Sequence, residues 1–357
     1  MRLTELHCQS FRCLDRLHFS PGPGLNVIRG GNAQGKTSVL EAVLFAATSK
    51  SHRTNNEEDL VCHGAESFHI SVAAKRADRD VRIEANWWKG AKRFKVNGVA
   101  QARVSDILGR LHVVFFSPED IELVKGGAGE RRRFLDMELS QVDASYLVSL
   151  QQYRQVLRQR NELLRRGHAD PDLLAPWDAQ LSVHGGALIV ARRSFLSELA
   201  PLAAEAHAGI ADAEPLALTY TPDVEDAESL LQLLERNRAM DLRRGTTGRG
   251  PHRDEIRLDI TSHPARSHGS QGQQRTAALS LKLAELHLVK RRTGEFPVLM
   301  LDEVLAELDA RRAESLFSAI PPEVQCIVTT TDAGSSTVLS RRDCKVFPIE
   351  RGHFATT

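Results

Sequence analysis

Net charge is nearly absent from this chain: 47 Lys and Arg against 46 Asp and Glu leave +1 over 357 residues. Bulk charge therefore announces neither a nucleic-acid nor a membrane partner. Long apolar runs are missing too, and none approaches the ~18 residues of a spanning helix. The opening MRLTELHCQSFR lacks the apolar stretch of a secretory leader. Cysteine is scarce. Cys8, Cys13, Cys62, Cys326 and Cys344 are odd in number and never spaced C-x-x-C. This disfavours a disulfide framework and a cysteine zinc site, and the expected setting is a reducing cytoplasm. No H-E-x-x-H, G-x-S-x-G or paired Cys/His spacing calls for a nuclease metal centre or a covalent nucleophile. Internal repeats, low-complexity tracts and long heptad runs are absent as well.

What is present is unevenly placed. Residues 75–103 carry nine Lys and Arg against three acids, and residues 236–275 carry nine against four. Residues 194–235 carry nine acids and no Lys or Arg. A neutral total thus hides two basic stretches and an acidic one. Hydrophobic residues make up 41% and charged residues 26%, enough for a real core in two or three domains, or one large domain with an insert.

The first 120 residues read as mixed strand and helix. Leu25-Asn26-Val27-Ile28 is a short apolar run, and Ser38 to Ala46 has helical spacing. His69 to Ala73 and Val81 to Ala85 alternate like half-buried strands, and Val113 to Phe116 is apolar throughout. The stretch 121–244 changes character. Val142, Tyr146, Leu150, Tyr153 and Leu157 recur at helical intervals, a second helical stretch runs toward Pro201, and a third spans Leu230 to Leu242. Pro201 is expected to end or kink its helix. Beyond the breaker-rich Gly245 to Pro251, mixed character returns, with Pro297 to Leu301 and Val324 to Val328 as buried parallel strands. The expected organisation is an α/β domain formed by 1–120 and 245–357, split by a helical insert at 121–244.

The chemistry begins at Gly30-Gly31-Asn32-Ala33-Gln34-Gly35-Lys36-Thr37, a full G-x-x-x-x-G-K-[ST] run between a strand and a helix opened by Ser38. Glycines let the loop wrap close to phosphates, so that backbone N–H groups and the helix N-terminus face them. Lys36 should reach the outer phosphates, and the Thr37 hydroxyl should ligate Mg²⁺. Val298-Leu299-Met300-Leu301-Asp302-Glu303 supplies the matching acids at a strand's carboxyl end. Asp302 would hold Mg²⁺, and Glu303 would polarise the attacking water. A third element, Gly269-Ser270-Gln271-Gly272-Gln273, feeds the helix Arg275 to Lys290 and offers a second phosphate cradle, a weak signal when taken alone.

The order of these motifs, with the second cradle just upstream of Asp302, resembles the ABC-type ATPase heads of the SMC superfamily. Within it, Phe116-Ser117-Pro118-Glu119-Asp120, Leu123-Val124-Lys125-Gly126, Arg131 to Asp136, Gly250-Pro251-His252-Arg253-Asp254, Gly269 to Thr276 and Leu301 to Leu305 are similar to the RecF family of bacterial recombination mediators. That resemblance runs from Phe11-Arg12 to Asp332. It implies an ABC-type P-loop ATPase head carrying a helical arm, with ATP and Mg²⁺ as ligands. Ser270, Gly272 and Gln273 would contact ATP held by a second protomer, so ATP would bridge a homodimer. Arg12 matches a basic residue that approaches phosphate, and Leu305 to Asp309 occupies the D-loop position along the dimer seam. The implied role is in DNA repair, recombination, replication restart and SOS induction, acting on single-stranded, double-stranded or gapped DNA with RecR and possibly RecO as partners.

Two departures from the ABC pattern stand out. Thr331 stands where a switch histidine is usual, so slow hydrolysis is expected, and Ser117 to Asp120 takes the Q-loop place without a glutamine. Lys125, Arg131, Arg132, Arg154, Arg158, Arg243 and Arg244 are the candidates for DNA phosphate contacts. Two other classes share the head motifs: the ATPase subunit of a membrane transporter, and a structural SMC-like tether. The Arg-rich stretches and the helical arm fit the first poorly, and the short heptads fit the second poorly.

Overall fold

Runs that are apolar on both faces and runs that alternate call for two different sheets. A computed structural model describes residues 1–166, 171–211, 214–331 and 343–355, and it holds both sheets. The strands Leu25–Arg29, Val113–Phe116, Val298–Leu301 and Cys326–Thr330 are apolar nearly throughout and almost fully buried. Together with Cys344–Glu350 they form a parallel sheet. Its order is Cys344–Glu350, Leu25–Arg29, Cys326–Thr330, Val298–Leu301, Val113–Phe116, with His353–Phe354 folded back antiparallel at one edge. The alternating runs form a six-stranded antiparallel sheet, ordered Leu14–Phe19, Arg2–Phe11, Ser67–Lys75, Asp80–Trp88, Ala91–Val96, Val99–Ala100.

The helix Lys36–Thr48 packs against both sheets, touching strands of each. Twelve of its residues are buried, so it is apolar all round rather than striped. Val39, Leu40, Val43 and Phe45 join one core with Leu6, Phe11, Phe68, Ile83, Met300 and Ile327. At ~1.5–3 kcal/mol for each large side chain, this burial holds the helix, and with it the start of the phosphate-type loop, in place.

The chain divides into two compact units: Met1–Asp120 with Gly209–Asp212 and Leu279–Thr357, and Ile121–Ala208 with Ala213–Ala278. The second boundary differs from the sequence expectation, because residues 245–278 fold with the arm. The strand Leu216–Thr221, hidden in a stretch that reads as helical, pairs antiparallel with Glu255–Ile260 over six residues. That ladder draws the later segment into the second unit.

Four long helices make up most of that unit: Ala128–Val142, Ala144–Arg165, Ala175–Ile210 and Ala227–Arg244. Asp143 breaks the first from the second. Its extended backbone ends one helix, and its carboxylate caps the N–H groups of Ser145 and Tyr146 in the next. Pro201 does not end its helix, which continues to Ile210. Leu199, Leu202 and Ala203 are buried on either side of it, and their packing outweighs the missing N–H donor.

Within this unit two buried arginines anchor charge networks. Arg192, 2% exposed, donates to Asp136, to Asp254, to the Pro251 carbonyl and to the Tyr146 hydroxyl at 2.7–3.1 Å. Arg160, fully buried, bonds Asp178, Asp241 and Thr247, each at 2.8 Å. Asp254 also accepts from Tyr220 and from the Asp223 N–H. No helix among the described residues is long and apolar enough to cross a membrane.

Candidate nucleotide site

The glycine-rich loop leaves the strand Leu25–Arg29 and opens the helix Lys36–Thr48. Gly30 is required by proximity, since a Cβ there would collide with the Ile349 carbonyl. Gly35 sits at the helix N-cap with φ 104°, a conformation that L side chains rarely adopt. Gly31, Asn32 and Ala33 form the exposed rim of the loop, Gln34 is half-buried, and Ser38 is buried on the first helical turn. Lys36 is 3% exposed and folds back along the loop, donating to Gly30 O at 2.9 Å and Gly31 O at 2.8 Å.

The acids arrive from the neighbouring strand. Asp302 follows Val298–Leu301, and its N–H donates to Phe116 O. Its carboxylate accepts from the Thr37 hydroxyl at 3.0 Å and the Thr329 hydroxyl at 2.6 Å. Glu303 turns off the strand in the left-handed region at φ 51°, and its N–H donates to Thr329 Oγ1 at 2.9 Å. It stands at the N-cap of the short turn Val304–Ala306, yet its side chain makes no cap. Instead it lies 3.1 Å from Lys36 Nζ. Lys36, Thr37, Asp302 and Glu303, 267 positions apart at the extremes of that set, thus meet at one point.

Burial pushes the Asp302 carboxyl up from its ordinary value, partly offset by the Thr329 and Thr37 hydrogen bonds, while Glu303 and Glu119 add repulsion. The folded protein therefore keeps this proton to a higher pH than the unfolded chain. The stabilisation is full below ~3.8 and is lost as pH rises through the folded value. Asp302→Asn removes that cost while its amide oxygen still accepts from both threonines. We expect the nucleotide-free variant to melt at neutral pH no lower than the parent, as a thermal scan will read. A carboxylate oxygen beside a hydroxyl at the foot of a phosphate-type loop is an oxygen donor set that a divalent cation fits, and the cation's charge would favour the ionised carboxylate.

Sequence reasoning left the acting residue of the Q-loop segment open and missed Thr329, Arg351 and Gly352. Glu119, exposed in the Q-loop segment, is the residue there that acts on Asp302, whereas Asp120 is spent locally, accepting from Ser117 N at 2.7 Å. The turn Arg351-Gly352 braces the loop: Gly352 N donates to Gln34 O at 3.0 Å and Arg351 N to Gln34 Oε1 at 2.7 Å. No local signal links residues so distant in the chain.

Arg12 precedes Cys13 and Leu14, which pack against Gly35, and it is tied to the helix that the loop opens. Its guanidinium forks onto Glu41 at 2.8 and 2.9 Å and onto the Asp59 carbonyl at 2.9 Å. Thr331 is half-buried at the switch position, and Asp332 lies outside the described residues. Asp309, in the D-loop stretch, caps the helix Ala310–Ala319.

Ser270 belongs to the second unit and is exposed. It forms a reciprocal capping box: Ser270 Oγ accepts from Gln273 N at 3.2 Å, and Gln273 Oε1 accepts from Ser270 N at 2.8 Å. Gln273 Nε2 also donates to Glu214 at 3.0 Å, and Gly272 is half-buried beside it. The helix Gln271–Thr293 thus starts at an exposed hydroxyl.

The arginine candidates divide. Arg131 is not a surface cation: it is buried against Glu255 and the Leu123 and Gly126 carbonyls, because its helix start packs inward. Arg132 donates to the Asp254 carbonyl at 2.6 Å, and Arg154 pairs with Asp136 at 2.7 Å. Lys125, Arg158, Arg243 and Arg244 are exposed. His252, in the Gly250–Asp254 motif, is structural, sharing a 2.7 Å hydrogen bond with the Tyr153 hydroxyl; burial pushes its imidazole below the usual range.

Comparison with known proteins shows the family and the fold. The RecF/RecN/SMC N terminal domain model matches residues 2–353. The DNA replication and repair protein RecF of Limosilactobacillus reuteri is 40% identical over 366 aligned residues, covering 99% of this chain and 98% of its own. That of Alkaliphilus oremlandii is 39% identical over 363, covering 99% of each. A solved structure of the recombination mediator protein RecF with ATP in the RecFOR pathway superposes with TM-score 0.91 at 33% identity, covering 100% of this chain and 97% of that one. An Smc head bound to the C-winged helix domain of ScpA gives 0.60 at 16%, covering 100% and 97%, a likeness of fold alone.

Proposed function

The chain belongs to the RecF family, and we propose that it is an ATP-switched, DNA-binding mediator of recombination and repair that works in the cytoplasm. The convergence of Lys36, Thr37, Asp302 and Glu303 carries this reading. The loop Gly30 to Ser38 cradles the phosphates. Lys36 leaves the Gly30 and Gly31 carbonyls and the Glu303 carboxylate for phosphate oxygens. Glu303, freed of its cation, orients the attacking water and accepts its proton. Thr37 and Asp302 hold Mg²⁺, with Glu119 adding negative charge nearby. Bound there, Mg²⁺ neutralises charge on the transferring phosphate. Asp302→Asn is therefore neutral or better for the fold and costly for turnover, a split that packing alone does not produce. Thr331 supplies no imidazole at the switch position, so turnover is slow and serves as a timer.

Ser270, Gly272 and Gln273 close on ATP bound to a second protomer, and the head is complete only as a dimer. The exposed Ser270 hydroxyl at a helix start supports this. The unit Ile121–Ala208 with Ala213–Ala278 serves as the arm, and the remainder as the ATPase head. Lys125, Arg158, Arg243 and Arg244 contribute phosphate contacts to DNA, doubled by dimerisation, so binding is salt-sensitive and largely independent of sequence. Arg154, half-exposed on Asp136, is a weaker candidate, and Arg132 a weaker one still. RecR and possibly RecO are the protein partners this family role entails.

Ser270→Arg tests the reading. The variant should bind ATP as the parent does and fail to dimerise with it, as sedimentation with a fluorescent ATP analogue will read. Full dimerisation would remove Ser270 from the seam.

A further inference from the structure

The outer face of the antiparallel sheet carries a cluster unrelated to the nucleotide site. His7 on Arg2–Phe11 stands directly opposite His18 on the edge strand Leu14–Phe19, and Glu5 lies two positions before His7 on the same face. Leu6, Cys8, Leu17 and Phe19 point into the core, so the strand period fixes Glu5, His7 and His18 outward. One ligand atom from each of the three lies within 4.8 Å of the others. His18 Nδ1 is 3.1 Å from His7 Nε2, and His7 Nε2 is 2.9 Å from Glu5 Oε1.

We propose that Glu5, His7 and His18 form a binding site for a borderline transition-metal cation, Zn²⁺ or a close relative. A tetrahedral zinc with ligands at ~2.0–2.2 Å spaces them ~3.3–3.5 Å apart. Two of the three separations are already near that, and a small rotation of the exposed His18 ring closes the third. Two imidazoles and one carboxylate suit zinc, nickel or copper and exclude the hard cations Mg²⁺ and Ca²⁺, which take oxygen donors. The site is thus chemically distinct from Thr37 and Asp302.

The second layer is in place. Arg82 Nη2 holds the other Glu5 oxygen at 2.9 Å, and Arg82 Nη1 reaches Ser71 Oγ at 3.2 Å, which fixes the carboxylate's orientation. Ser20 Oγ lies 3.0 Å from His18 Nε2 and sets that ring. The fourth position opens to solvent. Arg82 is also a nearby positive charge, which limits affinity without touching the His7–His18 pair. Occupation would staple the edge strand Leu14–Phe19 to its neighbour, and Leu14 packs beside Gly35 of the nucleotide loop.

The test is a zinc chloride titration of the full chain against a chromophoric chelator, without nucleotide and with excess Mg²⁺. The parent is expected to hold one equivalent that His7→Ala and His18→Ala each weaken by about tenfold or more. Zinc should raise the melting temperature of the parent more than that of either variant. His18 is exposed on an edge strand, so His18→Ala reads the site even if His7→Ala folds poorly. Superimposable isotherms for the parent and both variants, or loss of the equivalent to Mg²⁺, would overturn the site.

Discussion

Replacing Lys36 with alanine is expected to lower ATP affinity by about a hundredfold or more while leaving the fold intact. Two charge-assisted hydrogen bonds to phosphate oxygens amount to ~3–6 kcal/mol, a factor of about 10² to 10⁴ in affinity. The cost to the free protein is smaller. Lys36 now satisfies two carbonyls and Glu303, but Gly31 is exposed and Glu303 is 37% exposed, so water can replace the ammonium at these two and only the buried Gly30 carbonyl loses its donor. Calorimetric titration with ATP and a thermal scan of the same sample separate the two effects. An undiminished affinity would mean that the Gly30 to Thr37 loop does not hold the phosphates.

Arg192→Met is expected to be the most damaging substitution for the fold outside the nucleotide site. It leaves Asp254 buried without its cation and Asp136 with the exposed Arg154 alone, and it takes the shorter of two donors from the Pro251 carbonyl. Breaking a buried pair from one side costs ~3–5 kcal/mol, a large part of the ~5–15 kcal/mol that holds a typical protein folded. The urea midpoint should fall accordingly, while Arg158→Met, on an exposed helix face, should move stability by less than ~0.5 kcal/mol. Adding Asp136→Asn and Asp254→Asn to Arg192→Met should restore part of the loss, because the stranded charges are then gone. If the single variant unfolds where the parent does, the network is not what joins Ala175–Ile210 to the Gly250–Asp254 motif.

This network also shows where sequence reading reaches its limit. Gly30 to Thr37 was legible because glycine spacing, a preceding strand and a following helix are local facts. Val298 to Glu303 was legible because an apolar run ending in acids has few other uses. Leu216–Thr221 was overlooked among helical neighbours, although its alternation, its Thr and Tyr content and the flanking Pro215 and Pro222 are a short strand signal that the pairing with Glu255–Ile260 confirms. Arg131 looked like Arg158, because burial of an arginine depends on where Glu255 and two carbonyls fall in space. Pro201 followed its usual rule in the sequence and broke it in the fold, where neighbouring leucines hold the helix. The Ser270 loop read as a phosphate cradle, and the reciprocal cap that Ser270 and Gln273 close at its helix start was not anticipated. Glu5, His7 and His18 were invisible as a group, because only the strand register sets His18 opposite His7.

In the proposed switch ATP joins two copies of the chain through Lys36, Glu303 and Ser270. Solution mass by light scattering on Glu303→Gln, with and without ATP and Mg²⁺, tests this most directly. The substitution removes the base and the negative charge facing Lys36, so bound ATP should persist. A monomer that becomes a dimer only with ATP and Mg²⁺ is the predicted result. A monomer under both conditions, in a protein shown to hold ATP, would contradict it.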